Sequence, residues 1–100
     1  MIKIAGILRD PTAYRGPIEV GGWVRTMRES KNLCFIALSD GTAFGAAQVV
    51  AERAAFDDAL FKNIGTGAAI AVKGELVLTP DAPQPFEIVA KEIEILGACD

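Results

Sequence analysis

The chain has 100 residues, 51% of them hydrophobic and 23% charged, which fits one globular domain and excludes an intrinsically disordered segment. It contains no histidine and only two cysteines, so a Ser-His-Asp or Cys-His catalytic arrangement is excluded and a transition-metal cluster is not expected. The net charge of −3 argues against a broad basic surface that clamps nucleic-acid backbones regardless of sequence. We therefore expect no catalytic residue and no metal site in this chain.

Neither membrane insertion nor secretion is indicated by the sequence. No apolar run approaches roughly 18 residues, and the first residues lack the charged and apolar regions of a signal peptide. Cys34 lies in an apolar stretch and Cys99 is next to the last residue, a spacing that fits neither a disulfide framework nor a zinc site. We therefore expect a cytoplasmic protein without a membrane partner, with Cys34 in the core and Cys99 as an exposed thiol.

The chain opens with a short amphipathic segment and a long strand. Residues 2–9 are expected to be helical or extended and to end at an Asp-Pro turn signal, and residues 1–16 form an N-terminal extension. From Ile18 onward apolar and polar residues alternate, which predicts a strand. The paired Gly21 and Gly22 within it predict a bend or bulge.

A hairpin and a helix come next, after a short basic turn. The second strand covers residues 33–40, because apolar side chains recur at every second position, and the Asp-Gly dipeptide at its end predicts a hairpin turn. The third strand is expected over residues 44–51. The apolar period then changes to four residues over 54–63, with acidic residues at the start and a glycine just beyond the end, which predicts one short helix.

Alternation with a period of two returns in the last third of the chain. It predicts a fourth strand over residues 70–78, a proline-rich loop over 80–85 and a fifth strand over 86–96. In the fifth strand the apolar positions shift from even to odd residue numbers after Ile88. This shift predicts a bulge, or a strand shared between two halves of a barrel.

The order of these elements predicts an all-β fold. Three strands, a helix and two strands within about 80 residues are the order of the OB-fold, a five-stranded Greek-key barrel with one helix between strands three and four. An SH3-like barrel or a split sandwich would not usually place a packed helix there. We expect residues 1–100 to form one such domain, with nucleic acid bound on the face of strands two and three.

A few side chains on that face are candidates for binding a base. If Cys34 and its alternate neighbours face the core, Phe35 faces outward, and Gln48 lies on the same open face of the next strand. An exposed aromatic ring can stack on an unpaired base, and amide or guanidinium groups such as that of Arg28 can read the edge of the base. Arg25 and Lys31 are placed to contact phosphates, positioning rather than specifying the ligand.

Each candidate also has a purely structural interpretation. A register slip of one residue would turn Phe35 into a core residue, and Gln48 could be an ordinary polar residue on a solvated face. Arg28 could form a surface salt bridge with Glu29 or another acid, and Arg25 and Lys31 could be ordinary surface charge. We interpret Trp23 as a packing residue rather than a binding residue.

The residues that suggest base recognition also resemble a known family. The stretch "GWVRTMRESKNLCFIALSDGTAFGAAQVV", followed by "TGAAIAVKGELVLTP", "QPFEI" and "KEIEILG", looks like the N-terminal anticodon-binding domain of class IIb aminoacyl-tRNA synthetases, most like the asparaginyl branch. The resemblance covers roughly residues 17–97. It implies that Phe35 stacks on a central anticodon uridine, that Arg28 and Gln48 hydrogen-bond its edge, and that Glu94 contacts a neighbouring base.

The resemblance also implies partners for the domain. These are a tRNA anticodon stem-loop and the catalytic domain of the parent synthetase. The parent would join asparagine to tRNA using ATP and magnesium, whereas the domain itself needs no cofactor and is not an enzyme on its own.

Two other functions remain open at the level of sequence. The first is a free-standing OB-fold module that binds single-stranded nucleic acid with little sequence preference, for which a more basic and more aromatic face is expected. The second is a protein-interaction barrel in which the apolar face of Phe35 and Ala37 meets a partner protein.

Overall fold

The computed structural model describes residues 2–97 and shows a closed barrel of five strands. Two short α-helices and two 3-10 helices (residues 11–14 and 53–55) accompany the strands in this part of the chain. The elements are α1 (Ile4–Arg9), β1 (Gly16–Glu29), β2 (Leu33–Ser39), β3 (Ala47–Glu52), α2 (Asp58–Asn63), β4 (Ala69–Leu78) and β5 (Phe86–Gly97).

The strands close in the order β1-β2-β3-β5-β4, and each neighbouring pair is antiparallel except β3 with β5, which is parallel. The long strand β1 closes the barrel because its first half pairs with β4 and its second half pairs with β2. With α2 inserted between β3 and β4, this is the arrangement of an OB-fold, so the predicted fold is confirmed.

The core fills the barrel with the side chains that the alternation places inside. In β2, for example, Cys34, Ile36 and Leu38 have no exposed surface. The N-terminal extension contributes to the same core, because Ile4 and Ile7 of α1 are also fully buried and belong to the same cluster. Helix α1 is therefore an integral part of the folded domain.

Strand β1 bends where it changes partner. Trp23 pairs with both β4 and β2, and the register with β2 shifts between Val24 and Thr26, which leaves Arg25 as a bulge. At Gly22 a Cβ atom would lie 2.1 Å from the carbonyl oxygen of Ser39, so only glycine allows the backbones to approach this closely. The sequence predicts a bend or bulge at the glycine pair, and the structure has a bulge at Arg25, just beyond it.

The predicted helix over residues 54–63 is wrong in extent. Residues 53–55 form a 3-10 helix, and α2 begins only at Asp58, because the side chain of Asp57 accepts a hydrogen bond from the backbone N–H of Ala59 at 3.1 Å. The inward-facing residue of α2 is Phe61, which is 3% exposed.

The third strand begins at Ala47 rather than at residue 44. Residues 40–46 form a loop because their polar groups bind α1 instead of continuing the ladder. The Asp40 carboxylate accepts a hydrogen bond from the backbone N–H of Ile4 at 2.9 Å, and the Thr42 hydroxyl accepts one from Ala5 at 2.9 Å. These two residues cap the first turn of α1 from a distant part of the chain.

The capping carboxylate makes stability depend on pH. Partial burial acts to raise the pKa of Asp40, but hydrogen bonds from Thr42 and from the backbone of Ile4 outweigh it and hold the pKa below its ordinary value. A carboxylate of lowered pKa stabilises the fold above its ordinary pKa of about 3.9, and the stabilisation is lost as the pH falls through the lower folded-state pKa.

We expect Asp40→Asn to lower the free energy of unfolding by about 1 kcal/mol near neutral pH, because the charged group that accepts hydrogen bonds from the Ile4 backbone N–H and from Thr42 is replaced by a neutral one. The difference from the unchanged chain should shrink below about pH 4. Urea titrations of both proteins, near neutral pH and below about pH 4, measure this difference in the free energy of unfolding. Asp81→Asn is the control, since the Asp81 side chain forms no hydrogen bond within residues 2–97. A difference that is the same at both pH values would contradict this account.

The structure tests the prediction for Cys34 but not the prediction for Cys99. Cys34 is buried as expected, and burial raises the pKa of its thiol, as does the nearby carboxylate of Glu29. Cys99 lies outside the described residues.

Among residues 2–97 no helix is long and apolar enough to cross a membrane, and no group of three or more acidic, histidine or cysteine side chains is placed to hold a metal ion.

Candidate nucleic-acid interface

The outer face of β1, β2 and β3 gathers the candidate base-reading side chains. Phe35 of β2 lies opposite Arg28 of β1 in the antiparallel register. Two residues along the same strand, Ala37 lies between Thr26 of β1 and Gln48 of β3. Directly opposed and diagonal residues on one sheet face are close enough for their side chains to touch, so the register itself builds one site.

The ring of Phe35 points away from the core. Its neighbours Cys34 and Ile36 are fully buried, whereas Phe35 is partly exposed and does not belong to the hydrophobic core cluster. The predicted outward direction of the Phe35 side chain is therefore confirmed, and the alternative in which Phe35 is a core residue is excluded.

Arg28 lies over the partly exposed ring of Phe35. Its guanidinium carbon is 5.1 Å from the centroid of the Phe35 ring, within the range of a cation–π interaction. The salt bridge that was the structural alternative does not form, because Glu29 pairs with Arg53 at 3.0 Å. Within residues 2–97 Arg28 has no carboxylate partner, so its N–H groups are available to a ligand.

A shallow pocket of about 320 Å³ lies between these side chains. The Gln48 side chain forms no hydrogen bond to the part of the chain that the structure describes, so its amide can both donate and accept. A flat ring, a guanidinium that only donates and a free amide are together suited to an unstacked base. The pocket is lined by Thr26, Arg28, Phe35, Ile36, Ala37 and Gln48.

The other three predicted binding residues lie elsewhere. Arg25 donates a hydrogen bond to the backbone carbonyl of Phe44 at 2.6 Å, so its guanidinium helps to hold the loop over residues 40–46. Lys31 lines a separate groove beside the β1–β2 turn. Glu94 pairs with Ala71 of β4 and lies far along β5 from the stretch that contacts β3. The structure thus brings together only the first three candidates, and roles for the others stay predictions.

One acidic residue on the outer face of β5 was missed by the sequence analysis. The parallel register pairs Val49 with Ile88 and Val50 with Val89, and Gln48 and Glu87 are the residues that immediately precede the first of these pairs. Glu87 is partly exposed between the buried Phe86 and Ile88, so it shares the outer face. Its own alternation with those neighbours was the available signal, but sequence alone does not show that β5 pairs with β3.

A closed five-stranded barrel with an aromatic ring, a guanidinium and an amide grouped on strands β1 to β3 is typical of an OB-fold nucleic-acid-binding domain. The chain belongs to the tRNA anticodon family of OB-fold nucleic acid binding domains, whose model matches residues 18–96. The family predicted from the sequence is therefore confirmed.

Curated relatives narrow the resemblance to one branch. The chain is 48% identical over 83 residues to the asparagine–tRNA ligase of Bacteroides fragilis, covering 83% of the chain and 18% of that protein. It is 47% identical over 98 residues to the asparagine–tRNA ligase of Phocaeicola vulgatus, covering 98% of the chain and 21% of that protein. The chain thus spans about a fifth of the length of the relatives it matches, and the resemblance to the asparaginyl branch is confirmed.

Solved structures show the same fold. Asparaginyl-tRNA synthetase from Pyrococcus horikoshii, complexed with asparaginyl-adenylate, matches with a TM-score of 0.80 and 21% identity over 98% of this chain and 22% of its own. An OBody bound to hen egg-white lysozyme matches with a TM-score of 0.81 and 25% identity over 99% of this chain and 96% of its own.

Proposed function

We propose that this chain binds the anticodon loop of a tRNA as the anticodon-binding domain of an asparagine–tRNA ligase, with Phe35 stacked on the central base. The observation that carries the proposal is the outward-facing, partly exposed ring of Phe35, with Arg28 over it at 5.1 Å and the free amide of Gln48 at the edge of the same pocket. Family membership and the asparagine–tRNA ligase relatives support it.

The pocket suits a uracil better than a cytosine. A uracil presents two carbonyl oxygens and one imino N–H, so Arg28 can donate to an oxygen while the Gln48 amide accepts from the imino group. A cytosine replaces one oxygen by an amino group and the imino donor by an acceptor. Because a guanidinium has no acceptor, a donor facing Arg28 would leave buried polar groups unpaired. Arg28 therefore supplies selectivity, and the ring supplies affinity.

The remaining predicted contacts extend this site. Arg25 and Lys31 are exposed and stay predicted phosphate contacts, which would orient the loop without reading it. Glu94 stays a predicted contact to a neighbouring base. Glu87 immediately precedes the part of β5 that pairs with β3, so we propose it as a second candidate for that role.

The chemistry of the whole ligase lies outside this domain. The parent would use ATP and magnesium to join asparagine to its tRNA in the cytoplasm, and its catalytic domain would be the second partner of this chain. The contribution of residues 2–97 is selection of the tRNA, and affinity of the isolated domain should be low, because a few contacts must offset the ordering of a flexible loop.

A titration of two anticodon stem-loops tests the proposed function. The loops differ only in a central uridine or a central cytidine, and binding is measured at low salt by fluorescence anisotropy. We expect the uridine loop to bind more tightly by about 1–3 kcal/mol, the cost of leaving polar groups unpaired. Equal binding would support a sequence-blind OB-fold module, and no binding at high concentration would support a protein-interaction barrel.

A further inference from the structure

Helix α1 packs against the loop that joins β2 to β3, and the proposed function gives this helix no role. Side chains of the loop over residues 40–46 accept hydrogen bonds from the backbone of the first turn of α1. At the other end of the helix Leu8 faces the same loop, since a Cβ atom on Gly45 would lie 3.1 Å from Leu8 Cδ1. Arg9, the last residue of α1, therefore lies at the end of the helix that adjoins Gly45.

A second guanidinium contacts this loop from the barrel. Arg25 is the bulged residue of β1, and its Nη1 donates a hydrogen bond to the backbone carbonyl of Phe44 at 2.6 Å. Leu8 and Arg25 thus contact the adjacent loop residues Gly45 and Phe44, which brings Arg9 and Arg25 to the same end of the barrel. We refer to Arg9 and Arg25 as the arginine pair.

Within residues 2–97 no acidic side chain forms an ion pair with the arginine pair. Both arginines are exposed, and the ion pairs in this part of the chain have Arg53 or Lys73 as their cation. The neighbouring carboxylates bind elsewhere: Asp10 accepts a hydrogen bond from Thr12, and Asp40 accepts one at the opposite end of α1. Although the net charge of the chain is −3, this end of the barrel is a local site of positive potential that attracts an anion.

Both arginines have N–H groups left for a ligand. Arg25 uses Nη1 on the carbonyl of Phe44, which leaves Nη2 and Nε, and the Arg9 side chain forms no hydrogen bond to the part of the chain that the structure describes. A guanidinium only donates, and its planar fork matches the oxygens of a phosphate group. The arginine pair is therefore suited to a phosphodiester group, which offers only acceptors.

The bulge in β1 connects the arginine pair to the pocket beside Phe35. After the buried Val24, strict alternation would turn Arg25 outward and Thr26 inward, but the bulge leaves both exposed. Thr26 lines the pocket, and Arg25 and Arg28 are three residues apart in β1, about 10 Å along a strand. One RNA strand can therefore meet the pocket and the arginine pair together.

We propose that the arginine pair binds the phosphate backbone of the RNA strand whose base occupies the pocket beside Phe35. The proposal rests on the proposed function for the identity of the ligand. It adds to the predicted contact of Arg25 a contact from Arg9, so that α1 serves the RNA-binding surface as well as the core. Contacts of this kind orient the strand and do not read its bases.

The salt dependence of stem-loop binding tests the proposal through Arg9→Gln. For single strands the logarithm of the binding constant falls with the logarithm of salt concentration by about 0.7 per neutralised phosphate, so this variant should have a slope shallower by about 0.7 and bind roughly eightfold more weakly at about 50 mM salt. Arg9→Lys keeps the charge and should keep most of the slope. The preference for the uridine loop over the cytidine loop should not change.

Lys62→Gln is the matched control, because Lys62 is the exposed basic residue in the last turn of α2 as Arg9 is in the last turn of α1. It should leave the slope unchanged. An unchanged slope in Arg9→Gln would overturn the proposal, and so would a changed uridine preference, which would mean a contact to the base. Weaker binding that accompanies a loss of unfolding stability in urea would make Arg9 a structural residue and would also overturn it.

A methylphosphonate scan of the stem-loop locates the contact, because each such linkage removes the charge of one phosphate. We expect one linkage near the central uridine to weaken binding by the unchanged chain but not by Arg9→Gln, a non-additive cycle. Additive losses at every linkage would overturn the proposal in favour of a general effect of net charge. An unchanged chain that binds neither loop would contradict the proposed function itself, whereas a chain that prefers the uridine loop but shows no effect of Arg9→Gln would contradict only this proposal.

Discussion

The Phe35→Ala variant is expected to bind the uridine-centred stem-loop about 1–3 kcal/mol more weakly than the unchanged chain, a rise in Kd of roughly 5- to 150-fold. Phe35 is the one aromatic residue among the six that line the pocket, and the guanidinium of Arg28 lies 5.1 Å from the centroid of its ring. Removing it takes away the stacking contact and leaves Arg28 without the aromatic face beneath it. Binding by anisotropy and stability by urea unfolding are the two measurements.

Phe44→Ala is the matched control for this experiment. It removes the same ring from a residue that is fully exposed and does not line the pocket, so it should leave stem-loop binding unchanged. Unfolding stability should hold in both variants, because neither residue belongs to the core cluster. A loss of several kcal/mol of stability in Phe35→Ala would mean that the ring supports the fold, and equal losses of binding in both variants would mean that the pocket has no special role.

The sequence predicts this pocket because the strands that build it have a strict alternation. Cys34, Ile36 and Leu38 recur at every second residue, so Phe35 has one possible side once the barrel closes. The order of the elements along the chain was also accessible, since an interposed helix with its own stop signal separates the third and fourth strands. Local sequence patterns were therefore sufficient to predict the direction of the Phe35 side chain and the position of the helix in the chain.

The features that the sequence analysis missed depend on contacts between residues far apart in the chain. Phe44 falls in a run with strand-like composition, yet it lies in a loop, because Asp40 bonds to α1, 36 residues away in sequence. Glu87 is brought towards β3 only by the parallel pairing of β3 with β5. The shift of parity in β5 predicts a bulge, but only the register shows that Lys91 is the extra residue and that Glu94 therefore pairs beyond it with β4.

The same bulge makes Gly74 a position where a small change has a large expected effect on folding. A Cβ atom on Gly74 would lie 2.2 Å from the carbonyl oxygen of Val89, a backbone atom that cannot rotate away. Lys73 pairs with Glu92 and Gly74 pairs with Ala90, so Lys91 is the unpaired residue of a β-bulge. The close approach of the β4 and β5 backbones at Gly74 lies next to this bulge.

We expect Gly74→Ala to lower the free energy of unfolding by about 3 kcal/mol or more, at the upper end of the cost of overpacking, because backbone rather than a flexible side chain must move. Gly65→Ala is the matched control, since a Cβ atom there meets nothing within 4 Å, and its stability should change little. Urea unfolding of both variants measures the difference. Because β5 also pairs with β3, the strand that carries Gln48, Gly74→Ala should weaken stem-loop binding in the fraction that remains folded. Equal stability of the two variants would show that β5 can shift its register without cost.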